Sequence, residues 1–426
     1  MNAFPIGTSA LAAGQRGLEL VGQNIANATT PGYHRQAVNF ANRTTGGKIG
    51  TGVDVTTITR FSTAPVRTAI LSGNSEQAAL TTRFEIRSQI EGTLNAGDGG
   101  VGEKLESFFN QVEQLTSRPD SSAARRPIIA AASDLARQLN STAGDIDRQR
   151  ANIATRLPND IAEVNDFAKR IAEFNTRIAV IEKGGEPAND LRDQRDQLIN
   201  ELSKRVDIKT VDQPFGVVNV IASNAAVVVG EFANLFQVGP DASGNQVVTE
   251  QSTGQPVTFN SGSLGALLRE YNTEIPATRA RLDTFANQLA QRVNQVQATG
   301  IPLSGPYTSA NGTVTPTSAT VPLNAANLPF AVQAGQLTVS VTDTASGNRT
   351  NTTIAIDPAT QSVQDLATAL SGVPGLQATV NPTTNALELQ AQPGFAFDFA
   401  GRDTNPPGGG AVANPDSANV LSALGI

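Results

Sequence analysis

The stretch Ile161-Ala162-Glu163-Val164-Asn165-Asp166-Phe167-Ala168-Lys169-Arg170-Ile171-Ala172-Glu173-Phe174-Asn175-Thr176-Arg177-Ile178 places Ile161, Val164, Ala168, Ile171 and Ile178 at heptad spacing. Phe167, Phe174 and Ile181 widen that stripe to the breadth of a core-facing helix. Upstream, Leu135, Leu139, Ile146 and Ile153 lie four and seven apart, so the pattern predicts one very long helix. Pro158 falls inside it and predicts a kink, because a proline in a helix interior costs about 3 kcal/mol or more. Gly184-Gly185 ends the helix. A second helix is expected after Pro187, capped by Asn189 or Asp190, running through Leu191, Leu198 and Leu202 to Val206 antiparallel to the first.

Working outward, residues from about Thr63 read as further helices, with polar interruptions near Asn95–Gly100 and Arg118–Pro119. Over 207–260 the period changes: Val217, Val218, Val220 and Ile221, then Val227–Val229, are bounded by Pro214-Phe215-Gly216 and Pro240, which predicts strands in hairpins. Helical spacing returns at Ser263 and continues through Ile275, Leu282, Phe285, Leu289 and Val293, with Pro276 as a local fault. Residues 299–426 hold nine charged side chains and 12 of the 23 prolines, a shift that marks a boundary near Gly300. Beyond it, Leu337–Val341, Ile354–Ile356, a helix opened by Ser362 and closed by Gly372, Leu376–Val380 and Leu387–Leu389 read as a ββαββ unit, extended by Phe395, Phe397 and Phe399.

The predicted fold class is therefore α+β: a long-helix coiled-coil or bundle core with β-hairpin elements, plus a C-terminal β-rich, ββαββ-like outer domain. The expected divisions are 1–33, a heptad helix and turn; 34–62, an extended or β linker with a short strand around Val53, Val55 and Ile58; 63–299, the helical domain with hairpins at about 207–260; 300–400, the outer domain; and 401–426, a return segment.

The N-terminal segment has its own logic. Phe4, Gly7, Leu11, Gly14, Leu18, Val21, Ile25 and Ala28 alternate steps of three and four, a narrow helical seam. Asn27, Thr30, Pro31, Gly32 and Tyr33 then stop the helix, and Pro31-Gly32 fits the centre of a type II turn. Burying Leu11, Leu18, Val21 and Ile25 would yield on the order of 6–10 kcal/mol, against ~25–50 kcal/mol for ordering the backbone of ~25 residues before helix hydrogen bonds. Alone, the segment is expected to be marginally helical, so its seam needs a partner.

Composition removes whole classes of function. Zero Cys and one His exclude thiolate zinc sites, iron–sulfur clusters and imidazole-rich metal sites within one chain. A net charge of -7 offers no basic footprint for nucleic acid. No run approaches the 18 or so apolar residues of a membrane span, and no basic and apolar leader of the secretory type opens the sequence. Gly46-Gly47-Lys48-Ile49-Gly50 lacks the Ser or Thr and the spaced Gly of a phosphate loop and reads as a bend. His34 has no nucleophile to serve and is expected in a solvated loop or interface. In the run Asp190-Leu191-Arg192-Asp193-Gln194-Arg195-Asp196-Gln197, Arg192 precedes Asp196 by four, which predicts a salt-laced helix face rather than a carboxylate pair.

Several of these residues resemble a known family. Ser9-Ala10-Leu11, Asn24-Ile25-Ala26-Asn27, Thr30-Pro31-Gly32-Tyr33 and Arg35-Gln36 are similar to the N-terminal signature of bacterial flagellar rod, hook and hook-associated axial proteins. Ala123-Ala124-Arg125, the run Leu191-Arg192-Asp193-Gln194-Arg195-Asp196-Gln197-Leu198-Ile199-Asn200-Glu201-Leu202, and Gly262–Leu268 narrow the resemblance to the hook-associated protein 1 family over roughly residues 1–300.

The resemblance implies a non-enzymatic subunit without cofactor or metal, exported through the flagellar type III apparatus with a chaperone and without signal cleavage. It would assemble as a homo-oligomeric ring between the hook protein and the adjacent hook-associated protein, outside the cell, with neither nucleic acid nor membrane insertion involved. It implies that the seam Leu11, Leu18, Val21 and Ile25 pairs with a C-terminal heptad helix, which this sequence, ending at Ser422-Ala423-Leu424-Gly425-Ile426, does not display. It also marks Asn27, Thr30, Pro31, Gly32 and Tyr33 as a family turn, and Leu191, Asp193, Gln194, Arg195, Asp196 and Leu198 as a family helix motif. The alternatives are a hook or distal rod subunit, a secreted adhesin using the Thr- and Asn-rich outer unit, or a glycan hydrolase built on carboxylates alone.

Overall fold

The structure, a computed structural model, describes residues 3–44, 50–94, 97, 99–119, 121–402 and 411–426. The glycine bend at 46–49 lies outside the described residues. The chain divides into two compact units, Met1–Asn110 with Ile129–Arg279, and Gln111–Ile128 with Ala280–Ile426.

The first unit opens with helix α1 (Ala3–Ala26) and an antiparallel hairpin, β1 (Gln36–Arg43) and β2 (Gly52–Arg60), with a register shift between Asn39 and Phe40. The strand read around Val53, Val55 and Ile58 is β2; its partner β1 was not foreseen, because Gln36–Arg43 carries only Val38 and Phe40 as strand-forming apolar residues. Helices α2 (Ala64–Leu94) and α3 (Val101–Thr116) precede α4 (Ser122–Lys183), whose 62 residues continue through Pro158. Pro158 is exposed while Leu157 and Ile161 are buried, so packing of the opposite face holds the turns that flank it. Leu135, Ile146, Ile153, Ile161, Val164, Ala168, Ile171 and Ile178 are all buried, the stripe that the heptad spacing predicted.

Helix α5 (Asn189–Arg205) follows, and here the expected cap is corrected: the N-cap position is Ala188, with no side-chain cap. Asn189 instead turns its amide away, donating to Gln36 Oε1 at 3.0 Å and to the Ile58 carbonyl at 3.2 Å, while the Ala188 N–H donates to Glu182 Oε1 at 3.3 Å. The 207–260 region is strand, as its period required. β3 (Ile208–Asp212), β4 (Val218–Ala222), β5 (Ala225–Val229) and β6 (Phe232–Ala233) form one antiparallel sheet in sequence order. β7 (Phe236–Pro240), β8 (Gln246–Glu250) and β9 (Pro256–Val257) form another. Asn175 on α4 ties the first of these sheets to the helical layer. Its amide donates to the Val218 and Gly230 carbonyls and its oxygen accepts from Val218 N–H, at 2.7–3.2 Å. α6 (Gly262–Arg269) runs through a π-helical turn at Glu270–Glu274 into α7 (Ile275–Ala298), so the fault expected at Pro276 is taken up just before it.

The second unit includes β10 (Ser309–Asn311), β11 (Gly335–Asp343), β12 (Arg349–Ile356), α8 (Val363–Ser371), β13 (Leu376–Val380), β14 (Leu387–Ala391), β15 (Phe395–Asp398) and α9 (Val420–Leu424). The ββαββ order is present, but its hairpins belong to separate sheets, β12-β11-β15 and β10-β14-β13. Each hairpin is legible from its own residues, whereas the pairing of β15 with β11 across the helix is not. α8 carries a full capping box, Ser362 Oγ accepting from Asp365 N–H and Asp365 accepting from Ser362 N–H. Val363, Leu366 and Leu370 from α8, Phe397 and Phe399, and Val420, Leu421 and Leu424 from α9 share one buried core.

Candidate functional site

Helix α1 has two faces, and the structure covers only one. Ala13 and Leu20 are buried against the β1–β2 hairpin, and Asn24 completes that contact. Asn24 Nδ2 donates to the Gln36 carbonyl at 2.8 Å and its Oδ1 accepts from Gln36 N–H at 2.9 Å, so one side chain continues the edge of β1. Ser9 Oγ accepts from Val53 N–H at 3.2 Å on the other strand. The seam positions point the other way: Leu11 is 75% exposed, Leu18 74%, Val21 52% and Ile25 72%. Four large apolar side chains in heptad register on a docked helix form a surface without a partner among the described residues.

The turn below the helix has the geometry its residues demand. Tyr33 N–H donates to the Thr30 carbonyl at 3.2 Å and Gly32 has φ 81°, the type II arrangement. Asn27 is bonded to Thr30 through both main chain and side chain, and Tyr33 Oη donates to Asn24 Oδ1 at 2.8 Å. Burial, with the carboxylates of Asp193 and Asp190, pushes the Tyr33 phenol above its usual range. Gln197 on α5 donates to the Pro31 carbonyl, and its side chain occupies the space a Cβ at Gly32 would need.

The family helix motif meets this turn. Asp193 accepts from His34 N–H at 3.1 Å, contacts His34 Nδ1 at 2.8 Å and pairs with Arg60 Nε at 2.7 Å. Arg60 also pairs with Asp196. Arg195, 2% exposed, donates to Asn175 Oδ1 at 3.1 Å and to the Gly216 carbonyl at 2.5 Å, and burial pulls its guanidinium below the usual arginine range despite Asp196 beside it. Leu198 is buried beneath, Leu191 is half-buried and Gln194 faces solvent.

This corrects the partner assignment within the salt-laced face of 190–197. Arg192 does not bridge Asp196; it forks onto Glu182 with two bonds of 2.6 and 2.5 Å, leaving Asp193 and Asp196 to face Arg60 and His34. His34, expected in a solvated loop or an interface, is half-buried at the same cluster. Arg60 and Asn175 were missed, and Asn24 entered only through the N-terminal signature, since single polar residues far apart in sequence carry no periodic signal. Asp193 and Asp196, three apart beside a buried Arg195, were the trace that could have revealed the cluster.

The described carboxylates of residues 299–426 each have a hydrogen-bond or ion-pair partner. Asp343 and Asp357 accept main-chain N–H bonds in their own turns, Asp365 serves the capping box, and Glu388 accepts from Asn381. Asp398 pairs with Arg349, and Asp416 accepts the N–H groups of Val420 and Leu421 at the start of α9, while Asp403 lies outside the described residues.

Residues 4–34, the helix and turn just described, match the family model for the flagella basal body rod protein, which gives this end of the chain a flagellar character. Residues 87–312 match the model for the flagellar hook-associated protein FlgK helical domain, and the chain belongs to that FlgK family. Flagellar hook-associated protein 1 of Salmonella typhimurium is 30% identical over 319 residues, covering 70% of this chain and 56% of the relative. The Bacillus subtilis protein of the same name is 28% identical over 339 residues, covering 70% of this chain and 67% of the relative. A solved structure of the flagellar hook junction protein FlgK from Burkholderia pseudomallei aligns at TM-score 0.49 and 18% identity, covering 84% of this chain and 66% of that one. The chain thus spans little more than half the length of the Salmonella relative.

Proposed function

We propose that this protein is a structural axial subunit of the bacterial flagellum that joins hook to filament as a ring of identical copies. The observation that carries this reading is the split of α1: one face is fastened to the hairpin, and Leu11, Leu18, Val21 and Ile25 are left exposed in heptad register. A helix that needed only its own chain would bury its larger apolar face. This one buries Ala13 and Leu20 and presents the longer stripe outward.

In this reading the cluster of Asp193, Asp196, Arg60 and His34 holds the turn Asn27–Tyr33 so that α1 leaves the helical unit in one direction. Six or more polar contacts at one corner define an orientation better than an apolar patch, which tolerates sliding. The hook protein and the next hook-associated protein are the partners, the export apparatus and its chaperone deliver the subunit without signal cleavage, and no catalytic step is involved. The test is a chromosomal deletion viewed by electron microscopy. Hooks without filaments, restored by the full-length gene, support the junction role; filaments of normal number and length in the deletion strain contradict it.

A further inference from the structure

The second unit contains a cleft of about 400 Å³ with an unusual lining. One wall is a face of α7, where Gln288, Gln291, Arg292 and Gln295 fall at the i, i+3, i+4 and i+7 positions. The other is formed by Gln333, Asn414, Ser417 and Asn419. Six of these eight side chains are amides, and no apolar or acidic side chain is among them.

The loop wall is rigid. Ser417 Oγ accepts from Gln336 N–H at 2.9 Å, Thr338 N–H donates to the Pro415 carbonyl at 2.7 Å, and Gln333 N–H donates to the Ala418 carbonyl at 2.9 Å. The buried Asp416 carboxylate holds the loop from beneath through Val420 and Leu421 N–H. Asn414 and Asn419 both take left-handed backbone conformations, at φ 57° and 58°. The helix wall meets the loop wall at Gln295, whose Nε2 donates to the Asp416 carbonyl at 2.7 Å and to Asn414 Oδ1 at 3.4 Å and whose Oε1 accepts from Arg292 at 3.1 Å, while Asn419 is held within its own wall by the Ala331 carbonyl at 3.1 Å. Gln288, Gln291 and Gln333 line the cleft without a side-chain hydrogen bond to any described residue.

We infer that this cleft is a saccharide-binding site that prefers a sugar ring bearing a carboxylate. Each free amide offers a donor and an acceptor a short distance apart, the complement of a hydroxyl, and several such groups in a preformed cleft match adjacent hydroxyls on a ring. Arg292 has further guanidinium donors for a carboxylate. With no aromatic or aliphatic lining for the sugar face, binding rests on hydrogen bonds exchanged with water, and dissociation constants fall in the millimolar range. The Thr-, Asn- and Gln-rich character of the outer unit, which the junction role does not use, thereby acquires a function independent of that role.

The test is saturation-transfer NMR on the full chain with D-glucuronate and D-glucose as probes, each titrated to about 20 mM. The parent protein is expected to transfer saturation to glucuronate more strongly than to glucose. Gln291→Leu with Gln333→Leu should weaken both by about tenfold, and Arg292→Gln should abolish the preference for glucuronate. Gln291→Phe, which fills the cleft from a half-buried helix position, gives a second route to the same loss. Absence of transfer from the parent to either sugar, or undiminished transfer in both the double variant and Gln291→Phe, overturns the inference.

Discussion

Replacing Gly32 by Val is expected to free the N-terminal arm without unfolding the unit that carries it. Gly32 has φ 81°, and a β-branched residue held there is strained by roughly 1–3 kcal/mol. The new Cβ also collides with Gln197 Cγ and Nε2 on α5. Gln197 can swing away because it is exposed, but it then loses its bond to the Pro31 carbonyl, a further ~1 kcal/mol. Summed, the turn is destabilised by ~2–4 kcal/mol. The chain can escape most of that by letting the turn and α1 undock, so the loss is bounded by the docking energy of the arm rather than by the stability of the α4–α5 core. Limited proteolysis between Ile25 and Arg35 should accelerate by about tenfold or more, while the main unfolding transition in urea moves little. Gly32→Asn should do less harm, because Asn tolerates the left-handed region. Equal damage from Gly32→Asn and Gly32→Val, or unchanged proteolysis in Gly32→Val, would refute the reasoning.

Other outcomes follow from the same contacts. Asp193→Asn leaves Arg60 short of one carboxylate in a buried setting and should cost about 3 kcal/mol by chemical denaturation, more than Arg16→Gln on the exposed α1 surface. Ser362→Ala removes half of the α8 capping box and should cost about 1 kcal/mol in the second unit. Asp160 is buried within α4, and burial raises its carboxyl above the usual range against the pull of Arg156 and Arg205. A raised folded value means its contribution is fully present below the unfolded carboxylate value and is lost as pH rises through the folded one. Asp160→Asn should therefore flatten the pH dependence of stability above pH ~4 and stabilise the first unit at pH ~7 by on the order of 1 kcal/mol, read from urea midpoints across pH.

Periodicity carried most of the fold. The α4 stripe, the strand hairpins of 207–260 and the Ser362 cap each rest on residues within a few turns of one another, and such local patterns are what a sequence displays directly. Long-range pairing was not legible. Nothing local tells β15 to join β11 across a helix and three strands, or pairs β10 with β14. The site divided the same way. The seam was evident from its heptad and the turn from Pro31-Gly32, whereas the cluster beneath them joins positions as far apart as 34 and 193. At Arg192 the i, i+4 rule named a plausible partner within the helix, and the last turn of α4 supplied Glu182, a better-placed carboxylate, instead.

The central claim is that the exposed face of α1 is an assembly surface and not an incidental apolar stripe. Leu18→Asp with Ile25→Asp tests it most directly, since both side chains are more than two-thirds exposed and can be changed without disturbing the hairpin contacts of Ala13, Leu20 and Asn24. The variant is expressed in a strain lacking the native gene, its amount in the culture medium is matched to the parent as proof of export, and hooks bearing filaments are counted by electron microscopy. The account predicts exported, folded protein and bare hooks, because two charges in the seam oppose its burial against a partner helix. Filaments in parental number on hooks carrying the variant would contradict it.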